Sequence, residues 1–207
     1  MPHPVPSLET GLLLLFPMAN PGPLAEDQPR FGAESAGAKL KKKAPSAAVI
    51  DSQSVKMASQ RGKRGFDAGK KIMGRKRHIL VDTLGLLIGM VVHPANIQDR
   101  DGAKLLEPFL HASPGLEVVF ADGGYAGALA TWIKDLPRPT PLRLEIIKRP
   151  REATGFHLLP KRWVVERTFA WLANFRRFSK DYEVKTAHSE AMIYLANASL
   201  MARKLAS

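Results

Sequence analysis

The sequence predicts an α/β fold, because strand-like apolar runs fill its middle and helix-like spacing of apolar residues takes over towards its end. A further observation points to function. Two short apolar runs, AAVI and VVFA, each deliver an aspartate, Asp51 and Asp122. A strand that is apolar on both faces sits inside a covered sheet, where an ionised carboxylate is costly unless a cation offsets it. Both aspartates are therefore expected at strand ends, where open sheets tend to bind ligands. The competing reading of Asp122 is a turn residue bonded to its own backbone, since Gly123 and Gly124 follow it.

Taken in order, residues 1 to 44 form an irregular tail, rich in proline and without sustained period, and residues 45 to 207 form one folded domain. The KLKKK run inside the tail reads either as a solvated linker or as an arm that contacts phosphate. AAVID is the first strand. Residues 60 to 77 carry many glycines and cations and little apolar content, so a flexible basic loop is expected. Two β-like runs, 77 to 83 and 86 to 92, flank Leu84-Gly85 and predict a hairpin. Helix-start residues at 96 to 101, Asp99 among them, open a helix that Pro108 interrupts. VVFA is a strand, ALATWIKDL a short helix, and 143 to 150 another strand. Apolar residues recurring at three and four predict two closing helices, 162 to 182 and 189 to 205.

Composition narrows the partners. Lys and Arg number 31 against 19 Asp and Glu, a formal charge of +12 and a pI near 10.1. The excess is clustered: residues 39 to 77 hold thirteen cations, including Lys56, Lys70, Lys71, Arg75 and Lys76, against Asp51 and Asp67. An exposed basic surface that meets a polyanion is the expectation. With no cysteine there is neither a disulfide framework nor a thiolate metal site. LLLLF at 12 to 16 is too short to span a bilayer and lacks preceding cations, so neither a membrane helix nor a signal peptide is expected.

Two carboxylates at the ends of adjacent strands would hold divalent cations through hard oxygen ligands, and a third acid would complete the site. Glu166, in RWVVERTFAWLANFRR, is the candidate. Its plainer reading is a surface glutamate paired with Arg162 one turn earlier. His78 and His93 invite a metal reading too, but their contexts favour structural roles. Trp163, Phe169 and Trp171 are read as core residues rather than as a platform for an unpaired base.

These segments, from AVIDSQSVK through GKKIMGRKRHILVD, HPANIQDRDGAKLL and VVFADGGYAG to RWVVERTFAWLANFRRFSKDYE and SEAMIYLANASLMARKL, resemble the catalytic domain of bacterial insertion-sequence transposases of the DDE class. The resemblance covers about residues 45 to 205. It implies a ribonuclease-H-like mixed sheet flanked by helices, with Asp51, Asp122 and Glu166 as the catalytic, metal-holding triad. It implies two Mg²⁺ ions, with Mn²⁺ able to substitute, roughly 4 Å apart in an in-line displacement that nicks transposon ends and joins the freed 3′-hydroxyl to target DNA. No covalent protein intermediate is expected. Implied partners are terminal inverted repeats and target DNA, and a second copy of the chain in the active assembly; location would be the cytoplasm, on the nucleoid.

The chain departs from the family pattern in two places. Relatives carry a Tyr, Arg, Glu, Lys signature, and this chain keeps Arg162 and Glu166 but has Leu159 and Ala173 at the outer positions. DNA contacts are then expected from Arg162, Arg176, Arg177 and Lys180. Relatives also place a helical DNA-binding region before the first aspartate, which residues 1 to 38 do not resemble. A truncated or frameshifted remnant, or one half of a split enzyme helped by an upstream-frame product, would account for that. Two other classes remain open: a non-catalytic DNA-binding regulator of transposition, and a free-standing ribonuclease-H-like nuclease.

Overall fold

The computed structural model describes residues 44–59, 61–148 and 161–206, with side chains to residue 203. The cations at 39 to 43 and Leu159 lie outside the described residues. One compact unit spans Pro45–Asn197. It holds the sheet and every side chain discussed below.

Strand β1 (Ala47–Lys56) lies at the centre of a six-stranded mixed sheet. On one side it pairs antiparallel with β3 (Ile72–Asp82), from Ala48 opposite Asp82 to Lys56 opposite Gly74. The outer edge of β3 carries β2 (Gly65–Asp67) along its first residues and β4 (Leu87–Pro94) along the rest. On its other side β1 runs parallel to β5 (Val118–Ala121), and β6 (Arg143–Ile146) extends the sheet parallel to β5. Antiparallel strands first and parallel strands later make this the α/β, ribonuclease-H-like arrangement.

Alternation along the strands sorts side chains between two cores. Ala48, Ile50, Leu80, Val119 and Ala121 pack with α1 (Asp99–Lys104), α2 (Glu107–Ala112) and α3 (Ala128–Lys134). Val49, Ile79, Val81, Val118 and Phe120 face the opposite way, onto α4 (Trp163–Ala173) and α5 (Thr186–Ala206). Burying a side chain such as Val165 or Phe169 of α4 contributes about 1.5–3 kcal/mol, enough to fix which face of that helix meets the sheet. Asp51 and Asp122 fall on the α4 side by the same alternation, two residues beyond Val49 and Phe120.

Several expectations are corrected. The first strand does not end on Asp51 but runs five residues further, because β3 keeps pairing with it. Residues 60 to 77 are not a loop, since β2 and the start of β3 lie within them. Arg75, Lys76 and Arg77 are therefore buried in the sheet rather than exposed to a polyanion. Each finds partners remote in sequence: Arg75 meets Asp181, Lys76 meets Asp99, and Arg77 donates to the carbonyls of Phe178 and Lys180. The exposed share of that basic run is Lys56, Arg61, Lys63, Arg64, Lys70 and Lys71. Helix α4 stops at Ala173 instead of continuing to 182, because Phe175 is extended, with φ −89° and ψ 112°. The helix opened near 99 breaks into α1 and α2, with Pro108 accommodated in the first turn of α2, where its missing N–H costs nothing.

Candidate active site

Three local causes build the site. Strand β5 pairs with β1 only as far as Val49 opposite Phe120, and continuing that register by two residues sets Asp51 beside Asp122. The chain then leaves the sheet through the turn at Gly123–Tyr125, and the Gly124 N–H donates to Asp122 Oδ1 at 2.8 Å, which orients the carboxylate. The turn reading of Asp122 is thus present in its geometry, alongside a place at the sheet edge. Opposite, α4 begins at Trp163 with Arg162 at its N-cap and Glu166 in its first turn.

One atom measures the convergence. Arg162 Nη2 lies 3.4 Å from Asp51 Oδ2, 3.7 Å from Asp122 Oδ2 and 3.4 Å from Glu166 Oε1. The pairing of Arg162 with Glu166 one turn away is there too, but as one of three contacts. Exposure is graded across the group: the Asp51 side chain is 18% exposed, Asp122 35% and Glu166 47%. Burial pushes the Asp51 carboxyl from its usual 3.8 up to about 6, with Asp122 adding to the rise. The Ser52 N–H bond at 2.7 Å, Arg162 and Lys70 oppose it without prevailing.

Among the described residues no cluster of His, Cys, Asp or Glu closes into a metal site by itself. The donor chemistry nevertheless fits a hard cation. Three carboxylates from separate elements surround a single positively charged nitrogen, and burial holds the deepest of them above the usual carboxylate range.

Beneath Asp51 lies a polar network that the sequence did not announce. Ser52 Oγ donates to Asp99 Oδ1 at 2.9 Å, and Lys76 Nζ reaches the same oxygen at 2.8 Å and the Ile97 carbonyl at 2.8 Å. Lys70 Nζ donates to the Ser52 carbonyl at 3.2 Å. Asp99 therefore serves this network: it is the first residue of α1, and Gln98 at the N-cap makes no side-chain cap bond. The signal that was available is the long-range register, which places Ser52 opposite His78 and Ser54 opposite Lys76, and register is invisible in one strand alone.

The other candidates separate. Lys56, Lys70, Lys71, Arg176, Arg177 and Lys180 are exposed. Arg177 is ion-paired with Glu183. Arg176 lies beyond the end of α4 at Ala173, in the turn Arg176–Phe178. His78 and His93 face each other, Nδ1 to Nε2 at 2.8 Å, with His93 Nδ1 on the Pro94 carbonyl at 2.9 Å. Burial lowers both, His78 to about 3, so they form a neutral structural pair. Phe169 is core, while Trp163 and Trp171 clasp the Arg167 guanidinium at 4.3 and 4.6 Å.

A central mixed sheet with acids from β1, the end of β5 and a crossing helix defines a class, the acidic-centre domains of ribonuclease-H-like type. Comparison with known proteins gives the family. A family model described as "Transposase DDE domain" matches residues 42–201, and the chain belongs to that family. The chain is 33% identical over 121 residues to a Burkholderia cepacia protein named "Putative transposase for insertion sequence element IS402". That match covers 53% of this chain and 54% of the relative, so the chain spans about half of the relative's length. A solved piggyBac transposase synaptic complex with hairpin DNA is similar at 17% identity and TM-score 0.35, over 54% of this chain and 25% of that one.

Proposed function

We propose that this chain carries the catalytic domain of an insertion-sequence transposase, which cleaves phosphodiesters at the element's ends and transfers the strand to target DNA. The observation that carries the reading is the convergence of Asp51, Asp122 and Glu166 on one point at the sheet's edge. Divalent ions, Mg²⁺ or Mn²⁺, would be held by these three residues and would supply activation of a water or 3′-hydroxyl and stabilisation of the leaving oxygen.

The protein's own part is positioning. The Ser52 N–H and the Gly124 N–H fix one oxygen each of Asp51 and Asp122, leaving Oδ2 of both turned to the centre. Arg162 offers a guanidinium to a scissile phosphate at the centre, and the exposed cations Lys56, Lys70 and Lys71 supply countercharge for the phosphates of the strand. A second copy of the chain, pairing two ends on the nucleoid, belongs to the same reading and rests on the family resemblance.

The test is plasmid nicking with Mg²⁺ or Mn²⁺. The Asp122→Asn variant is expected to lose at least ~100-fold in nicking, since an amide keeps the size but not the charge, while DNA affinity measured without divalent cations stays within about twofold. Nicking that survives in that variant, or DNA affinity that does not fall with salt, would sink the reading.

A further inference from the structure

Arg162 holds its place in a way that separates it from a structural arginine. Its three carboxylate contacts all fall on one nitrogen, at 3.4, 3.7 and 3.4 Å. Charge-assisted N–H···O bonds close to about 2.7–2.9 Å, and a guanidinium that commits to a carboxylate usually does so through two nitrogens. Neither holds here. Arg162 Nε is buried and has no hydrogen-bond partner among the described residues. A guanidinium whose Nη2 is shared loosely among three acids is held by charge more than by geometry.

The electrostatic balance points the same way. Three carboxylates face one guanidinium, so with all three ionised the group keeps an excess of two negative charges. Asp51 is the least exposed of the three, its side chain 18% exposed against 35% for Asp122 and 47% for Glu166. The guanidinium occupies the space between these acids into which they would draw a cation, because one oxygen of each faces it. Arg162 also sits at the N-cap of α4, where movement of the side chain does not require the helix to move.

We propose that Arg162 is a displaceable counter-charge: it neutralises the carboxylate centre in the free protein, and a DNA phosphate draws it out as a divalent cation enters. The inference rests on the reading of the three acids as a metal centre. It adds that DNA and cation bind this centre with positive coupling, and that Arg162 carries the coupling. A strand phosphate gives the guanidinium the bidentate partner that it lacks, and its departure frees the acids for the cation. By linkage the cation must favour DNA binding by the same factor.

The experiment measures free Mn²⁺ by electron paramagnetic resonance, on the full chain, with and without a short DNA duplex whose own uptake of Mn²⁺ is subtracted. For the natural sequence, DNA is expected to tighten Mn²⁺ binding about tenfold, within the usual range of such couplings. Arg162→Gln is expected to bind Mn²⁺ about tenfold tighter without DNA and to gain little more when DNA is added. If Arg162→Gln binds Mn²⁺ no better than the natural chain, or keeps the full DNA-dependent gain, the inference is overturned. A thermal melt accompanies each variant. Should the Gln variant not fold, Arg162→Lys carries the test, with a smaller gain in the same direction expected and behaviour identical to arginine overturning it. A natural chain that takes up no more Mn²⁺ than Asp51→Asn would instead remove the metal-centre reading, and this inference with it.

Discussion

Arg75 and Arg162 are both arginines set among acids, yet they are used in opposite ways. Arg75 has no exposed surface, and all three of its nitrogens are engaged: Nε with the Lys63 carbonyl at 2.9 Å, Nη2 with the Val184 carbonyl at 2.6 Å, and Nη1 with Asp181, the Glu183 carbonyl and Ser189 Oγ. Its acid is matched, for Asp181 also accepts from Ser189 Oγ and the Glu183 N–H. Among the described residues Arg162 has three acids, all met through one nitrogen, and contacts no shorter than 3.4 Å. A saturated guanidinium fastens the segment after α4 to β3, whereas an unsaturated one marks charge that the fold has left to a ligand. Residue type does not distinguish the two; the count of engaged donors does.

Breaking the saturated centre is expected to have the largest effect. Arg75→Ala leaves Asp181 buried without its cation and frees three backbone carbonyls, so a loss of about 3–5 kcal/mol is expected in urea unfolding. A loss below about 1 kcal/mol would show that the network is not the clamp described.

Asp51 gives the next effect, with the opposite sign. Its folded pKa, about 6, lies above the usual 3.8, so between those values the folded chain holds a proton that the unfolded chain releases. Stability from this group is therefore highest at low pH and falls as pH rises through roughly 4 to 6, remaining lower above that. Asp51→Asn is expected to remove that slope and to stabilise the cation-free chain at pH 7, by an amount on the order of 1–3 kcal/mol. Unfolding curves collected from pH 4 to 8 check both parts, and a variant no more stable than the natural chain at pH 7 would contradict the assignment of strain to this carboxylate.

How much of this was visible beforehand depends on the reach of each signal. The run into Asp122 was legible because an apolar strand, an acid and two glycines are adjacent in the chain, and Glu166 because Arg162 and the apolar face of α4 lie within one turn. The first strand's true length was not, since Ser52 to Lys56 are strand only by virtue of Gly74 to His78 across from them. The same blindness turned Arg75, Lys76 and Arg77 into a supposed exposed surface. Local composition reports three adjacent cations, while their partners Asp181, Asp99 and the Phe178 carbonyl stand 106, 23 and 101 positions away in the numbering. Charge satisfied across the fold has no local trace.

The smallest effect sharpens the comparison most. Arg162→Gln removes a cation from three acids, as Arg75→Ala removes one from a single acid, and simple counting of ion pairs would rank it the more damaging. The physical ranking is the reverse. Glu166 and Asp122 retain water at 47% and 35% exposure, which screens what they lose, and Asp51, its carboxyl already pushed up to about 6 by burial, can take up a proton in compensation. Loose contacts beyond 3.4 Å also return little on removal. The expected change at pH 7 is therefore within about 1 kcal/mol, the range of partly solvated pairs, measured by the same urea titration used for Arg75→Ala. Equal losses for the two variants would mean that Arg162 is as firmly built in as Arg75, and the distinction between a fastened and a lent guanidinium would fail.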